Sequence, residues 1–265
     1  MEEKITISGR LLSAWFWLIV LFLIFPIFVI IPLSFGTSDL LQFPPVNLGL
    51  RWYWTYFNDP IWMNATWLSF RIALAAGILS TLVGTLAVIS LERHFKRLQA
   101  PMTYFITSPI IIPHIFIALG IFIFAIRNGL IGSELLVIGA HSLIAMPFVV
   151  MIVGASYRQI DPNLERAARV LGAGPIRAFF TATFPSLLPA GVAAFVFAFF
   201  VSFDELIISQ FVLSGSETLP MRIWADLQLD ISPTVAAVAS LLIVTTTLAM
   251  AGAELLRRKA AQRLG

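Results

Sequence analysis

There is no cysteine in these 265 residues, which removes disulfides, thiolate nucleophiles and cysteine-bound metal at once. Charge is scarce: Asp, Glu, Lys and Arg make up 12% of the chain, about half their share in a soluble domain. The three histidines, His94, His114 and His141, are too scattered for an HExxH zinc helix. No lysine follows a glycine, so the ending of a phosphate-binding loop is missing and ATP hydrolysis by that route is excluded. No nucleophile–base pattern appears either. What the chain has in quantity is hydrocarbon: 59% of residues are hydrophobic and the mean hydropathy is +0.92. It reads as an integral membrane protein.

A helix needs about 20 mostly apolar residues to cross a bilayer. Six stretches qualify: Ala14–Phe35, Thr66–Leu91, Met102–Ile126, Leu135–Ala155, Pro189–Leu213 and Pro233–Ala253. The first is long for a signal peptide, and no clean small-x-small cleavage site follows it. Six spans put both termini on one side. That side holds Lys4, Arg10, Arg93, Lys96, Arg97, Arg158, Arg166, Arg169, Arg177, Arg257, Arg258, Lys259 and Arg263; the other holds Arg51, Arg127 and Arg222. Basic loops stay in the cytoplasm, so both termini are expected there. The outer loops carry Asp39, Asp59, Glu134, Glu217, Asp226 and Asp230. Such a mouth would attract a cationic solute, and it also follows simply from the exclusion of Lys and Arg.

Ala73, Gly77, Ser80, Gly84 and Ala87 recur at helical spacing in the second span, which predicts close helix packing there. Pro26, Pro32, Pro109, Pro113 and Pro147 fall within spans and predict kinks. Trp15, Trp17, Trp52, Trp54, Trp62 and Trp67 lie near predicted interfaces, where headgroup anchoring is expected.

Between the fourth and fifth spans the chain turns polar over 161–188. Asp161 is placed to cap a helix with Pro162 at its first position, and Leu164, Ala167, Ala168 and Leu171 form a narrow apolar stripe. Gly172 ends the helix, Gly174-Pro175 redirects the chain, and a second short helix spans Ile176–Phe184, set off from the fifth span by Pro185 and Pro189. A location between membrane spans argues strongly against a DNA-reading use of this helix pair, and no nucleic-acid partner is expected. On spacing alone, an interfacial loop with arginines on lipid headgroups fits as well as a docking element.

The stretch resembles the EAA coupling loop of ABC importer permeases. The pattern is E-A-A, three residues, Gly, then an apolar-x-L-P ending; here stand Ala167-Ala168, three residues, Gly172, and Thr183-Phe184-Pro185. Arg166 replaces the usual glutamate, with Glu165 one place earlier, and Phe184 replaces leucine. Ser202-Phe203-Asp204-Glu205, Leu219-Pro220-Met221-Arg222-Ile223-Trp224 and Ile231-Ser232-Pro233-Thr234-Val235 are similar to stretches of the spermidine/putrescine-type branch. The resemblance implies an all-α type I importer permease: one transmembrane domain over 1–265, six spans, and a coupling helix between spans four and five. It implies that Glu165, Arg166, Ala167, Ala168, Gly172 and Ala173 face a dimer of separate ATP-binding subunits. ATP and Mg would sit on those subunits, leaving no cofactor in this chain. A second, related permease, a periplasmic solute-binding protein and the lipid of a bacterial inner membrane complete the implied partners.

Asp204 and Glu205 stand about fifteen residues into the fifth span, roughly 22 Å from its start. An acidic residue at that depth costs about 2.5–3.5 kcal/mol and so faces a cavity or a partner. One carboxylate is free to line a solute route while the other binds a neighbouring helix through, for example, Arg71. A purely structural pair is the alternative. His114 follows Pro113, where the polyamine branch more often has an acid; this widens the solute class to zwitterionic amino compounds, opine-like conjugates and aminoalkylphosphonates. A lone histidine in a span is more commonly a helix–helix hydrogen bonder, and His141 in its small-residue patch fits that use better still. The rival reading is a self-sufficient secondary transporter of a cationic or zwitterionic solute, which would show internal repeats and several intramembrane charges. A membrane scaffold would need no acidic pair.

Overall fold

In the computed structural model the described residues are 7–229 and 232–264, and the side chains at 7–10, 253 and 256–264 also fall outside the description. Lys4, Asp230 and Ile231, used in the sequence reading, lie outside the described residues. The chain is helical: α1 Ile7–Ser34, α2 Arg51–Asn58, α3 Pro60–Arg93, α4 Gln99–Thr107, α5 His114–Arg127, α6 Glu134–Tyr157, α7 Pro162–Val170, α8 Pro175–Ala178, α9 Phe184–Phe203, α10 Ile207–Val212, α11 Leu219–Leu229 and α12 Thr234–Leu264. Five helical segments are long and apolar enough to cross a membrane, among the described residues. A sixth arises if 99–110 and 114–127, bent by 93° where they meet, count as one broken span. Pro109 and Pro113 flank that break, as two missing amide donors in five residues require.

Packing divides the chain into two units. The first comprises Met1–Met63 with Ile223–Thr245. Within it the turn after α1 closes through the Gly36–Leu48 bridge, Ser34 Oγ meets Tyr53 OH at 2.7 Å, and Arg51 pairs with Asp39 at 2.9 Å. Trp52 and Trp62 are buried, so these two tryptophans are core residues and not headgroup anchors.

The second unit, Asn64–Arg222 with Thr246–Gly265, holds the site. α6 is its axis: Val137, Ile144, Val149 and Val153 are buried along it. One cluster joins α6 to Leu68 and Ile72 of α3, Ala118 of α5 and Ile208 and Val212 of α10. Another joins it to Val88 of α3 and Leu187, Ala194 and Ala198 of α9. The small residues of α3 are where backbones approach. A Cβ on Gly84 would stand 2.7 Å from Val149 Cγ1, and one on Gly77 would stand 3.3 Å from the Phe199 nitrogen.

The short helix after Gly174 is not set off from the fifth span. α8 runs through one π turn, Phe179–Thr183, directly into α9. Pro185 has no amide to offer the preceding turn, and there the Phe184 amide bonds Phe179 O, the wider ring of a π turn.

Candidate functional site

The fifth span is not one helix to Leu213; it breaks at the acidic pair. α9 ends at Phe203, Asp204 is its C-cap, and α10 starts at Ile207. Neither proline nor glycine causes the break. Glu205 does, by turning its own carboxylate onto the restart: Oε1 accepts the Ile208 amide at 2.8 Å, satisfying an orphan donor of α10. Glu205 is buried, and its Oε2 lies 3.4 Å from Nδ1 of His114. His114 is the first residue of α5, immediately after the break in the third span. Two chain breaks thus meet side chain to side chain. Arg71, the partner offered for the acidic pair, instead bonds Glu134 at 3.2 Å.

His141 secures the break from the α6 side. Its ring is fully buried, with Nδ1 2.8 Å from Ser202 Oγ on α9 and Nε2 3.1 Å from Ser209 Oγ on α10. In a neutral imidazole one nitrogen donates and the other accepts, so the two serines take opposite roles. The expectation of a helix–helix hydrogen bonder describes this residue well. No local pattern, however, signals that it grips both sides of one break, because its partners lie 61 and 68 residues away.

Asp204 differs from its neighbour. It is exposed, and its carboxylate has no partner among the described residues. An uncommitted carboxylate at a broken helix accepts charge-assisted hydrogen bonds from an ammonium group. The sequence-derived trio therefore divides: His114 and Glu205 hold each other, and Asp204 remains open.

The coupling stretch is built by local rules. Asp161 accepts the Asn163 amide at 2.9 Å and Pro162 takes the first helical position. Gly172 has φ +91°, a left-handed conformation that a Cβ disfavours. Its amide reaches Arg169 O at 3.0 Å and that of Ala173 reaches Ala168 O at 3.0 Å, the paired bonds of a Schellman end. The stripe expected to be apolar faces outward: Leu164 is 50% and Leu171 88% exposed, alongside Val170 at 88%. Arg166 is exposed as well, touching Asn163 Oδ1 at 3.3 Å.

Glu165 points the other way. Its Oε1 receives Arg93 Nη1 at 3.3 Å and Arg169 Nη2 at 3.1 Å; its Oε2 receives Arg93 Nη2 and, at 2.9 Å, the Thr183 hydroxyl. Arg93 also donates from Nε to Tyr157 OH at 2.8 Å and lies 5.0 Å over the Phe179 ring. Glu165 thereby joins α7 to the end of α3 and the π turn, and through Arg93 to the end of α6. Burial pushes the Glu165 carboxyl up, but Thr183, Arg93 and Arg169 outweigh it and hold it below the ordinary glutamate value. Within the coupling set Glu165 is thus an internal anchor, while Arg166 and the apolar stripe form the outward surface.

Among the described residues no three His, Asp or Glu side chains are grouped to hold a metal ion. The arrangement offers broken helices with one open carboxylate and, elsewhere in the unit, a capped helix with an outward apolar stripe. Residues 76–262 match the family described as binding-protein-dependent transport system inner membrane component. The chain belongs to that family. It is a multi-pass subunit of a bacterial inner-membrane ABC importer, a permease with no catalytic role, and the ATPase and the solute-binding protein are separate components. This sets aside the self-sufficient transporter. The chain is 30% identical over 231 residues to the putrescine transport system permease protein PotI of Escherichia coli K12, covering 84% of this chain and 82% of that one. It is 27% identical over 255 residues to the spermidine/putrescine permease PotC of the same strain, covering 94% and 95%. A crystal structure of a bacterial ABC transporter that imports the acidic polysaccharide alginate shares the fold with TM-score 0.68 at 13% identity, over 94% of this chain and 95% of that one.

Proposed function

We propose that this permease is a single transmembrane domain that forms half the pathway for a polyamine or related amino-bearing solute. Asp204 carries the reading: an open carboxylate beside two helix breaks suits a protonated amine and penalises an anion. Because Glu205 is buried against the Ile208 amide and His114, Asp204 is the carboxylate of this break that stands open to a solute. A diamine would need a second acceptor, which a second permease subunit would supply, and the resemblance to the polyamine branch favours a related subunit in that place. Likeness to PotI and PotC supports the same solute class.

In this reading both termini and the 161–188 loop are cytoplasmic. Arg166, Ala167, Ala168, Gly172 and Ala173 lie at the surface that docks an ATP-binding subunit, where ATP and Mg reside. Glu165 holds that surface to the spans. Closure of the two ATP-binding subunits would pull on α7, and the Glu165 network would pass the movement to α3, α6 and α9.

Extraction of the chain from its native membrane in mild detergent, followed by mass spectrometry of stoichiometric companions, tests the assembly. The companion binding protein, screened by thermal shift, tests the solute. A second, different permease and a binding protein stabilised by putrescine or spermidine are expected. A binding protein stabilised only by an anion or a neutral sugar would overturn the amine reading.

A further inference from the structure

Two features lie beside the α7 network and offer more than coupling requires. The first is a cavity of about 580 Å³ whose charged lining includes Arg93, Lys96, Arg158, Arg166 and Arg169. Its acids are already engaged: Glu165 with Arg93 and Arg169, Glu92 with Arg158, and Asp161 with the start of α7. Lys96 and Arg166 pair with no carboxylate among the described residues, so the cavity keeps an uncompensated positive charge.

The second is a groove of about 540 Å³ between α3 and the π turn with α9. Ile78, Leu82 and Ile89 form one wall and Phe184, Leu188 and Val192 the other, with Thr81 and Thr85 the hydroxyl-bearing residues along it among those described. At about 100° per residue, Ile78, Leu82, Thr85 and Ile89 share a face of α3 with Glu92 and Arg93. The groove therefore runs along α3 into the cavity, and the contact of Arg93 with Phe179 marks the junction. From Ile78 to Ile89 the helix rises about 16 Å, close to half the hydrocarbon thickness of a bilayer.

We propose that cavity and groove together bind one anionic phospholipid, its phosphate against Lys96 and an acyl chain along the groove. Charge selects the headgroup, and the depth of one leaflet matches the chain. A free phosphate would fill the cavity and leave the groove without an occupant. On the cytoplasmic orientation read from the Lys and Arg distribution, the lipid comes from the inner leaflet. It bridges α3, α7 and the π turn, the elements that Glu165 joins, and so stiffens the connection between the docking helix and the spans.

Gly191 gives the decisive variant. It lines the groove, and a Cβ built there meets nothing within 4 Å, so Gly191→Leu fills the groove without a clash at the added carbon. Gly139, on α6 and equally open, provides the control Gly139→Leu. The complex, extracted with its partner subunits and delipidated, is titrated with phosphatidylglycerol, phosphatidylethanolamine or inorganic phosphate, and adducts are read by native mass spectrometry. Retention of phosphatidylglycerol should exceed that of phosphatidylethanolamine by about fivefold, since a basic residue near a headgroup favours the anion by about that factor. Lys96→Glu should abolish the preference, Gly191→Leu should lower retention of both lipids, and Gly139→Leu should match the wild type. Equal retention of the two lipids, or an unaffected Gly191→Leu, would overturn the site. Inorganic phosphate that binds undiminished in Gly191→Leu while no lipid is retained would assign the cavity to a free ion. Because the chain has no cysteine, Leu188→Cys places a single thiol in the groove; its crosslinking to the second permease would give the groove to a protein and end the lipid reading.

Discussion

Replacing Glu165 with glutamine removes the charge at the centre of the α7 network while keeping the side chain's shape. The carboxylate accepts from three side chains, Arg93, Arg169 and Thr183, and is 15% exposed, with Arg93 at 25%. A hydrogen bond to a charged group contributes about 1.5–3 kcal/mol, and part of that is screened or recovered because glutamine still accepts from Thr183. A net loss of about 2 kcal/mol in the docking of α7 is the working figure, equivalent to roughly a 30-fold rise in its local opening. Amide hydrogen exchange over 162–170 in the assembled complex reads that opening directly. The same variant should keep ATP turnover but lose transport per ATP, because a loosely held handle moves without moving the spans. The pH dependence has a defined sign. A carboxyl held below its ordinary value stabilises the docked state above the unfolded carboxylate pKa of about 4.3. Protection of α7 should therefore be flat from about pH 7 to about pH 5 and fall only at lower pH. Wild-type exchange rates and wild-type coupling in Glu165→Gln would refute the role assigned to this residue.

Gly172→Arg places a Cβ at φ +91° and a charge at the end of the docking helix, and should uncouple uptake while membrane insertion, measured by protease protection, persists. Gly77→Leu meets Phe195 and the Phe199 backbone at 3.2–3.3 Å and should abolish accumulation of folded protein, seen as loss of a monodisperse peak in detergent chromatography. His141→Ala leaves two buried serine hydroxyls without their partner across the break and should cost about 2–4 kcal/mol, read as a lowered melting temperature of the complex. His114→Ala, by contrast, removes the half-exposed side of the Glu205 contact and should alter uptake more than stability, compared by transport and thermal shift in one preparation.

Much of this was legible in the sequence, for identifiable reasons. Asp161, Pro162 and Gly172 act through their own backbone neighbours, so the bounds of α7 follow from local chemistry. The bend in the third span has the same origin, with Pro109 and Pro113 announcing it. The break in the fifth span has no such local cause. Ser202 to Val212 reads as continuous apolar helix with two acids in it; only the capping of α10 by Glu205 and the serine contacts of His141 end one helix and start another. Those contacts are made across long stretches of chain, where periodicity carries no signal. The same limit explains Arg71, whose partner Glu134 lies 63 residues away. It also explains Glu165, which matches a docking motif by position and is turned inward by Arg93, 72 residues earlier.

The most direct test of the central claim is ATP-driven uptake of labelled putrescine into proteoliposomes holding the complete importer, with wild-type chain or Asp204→Asn. If the open carboxylate at the helix break receives a protonated amine, uptake by Asp204→Asn should fall by about tenfold or more, while ATPase stimulation by the loaded binding protein is retained. Unchanged uptake kinetics in Asp204→Asn would contradict the account and leave the broken span as scaffolding alone.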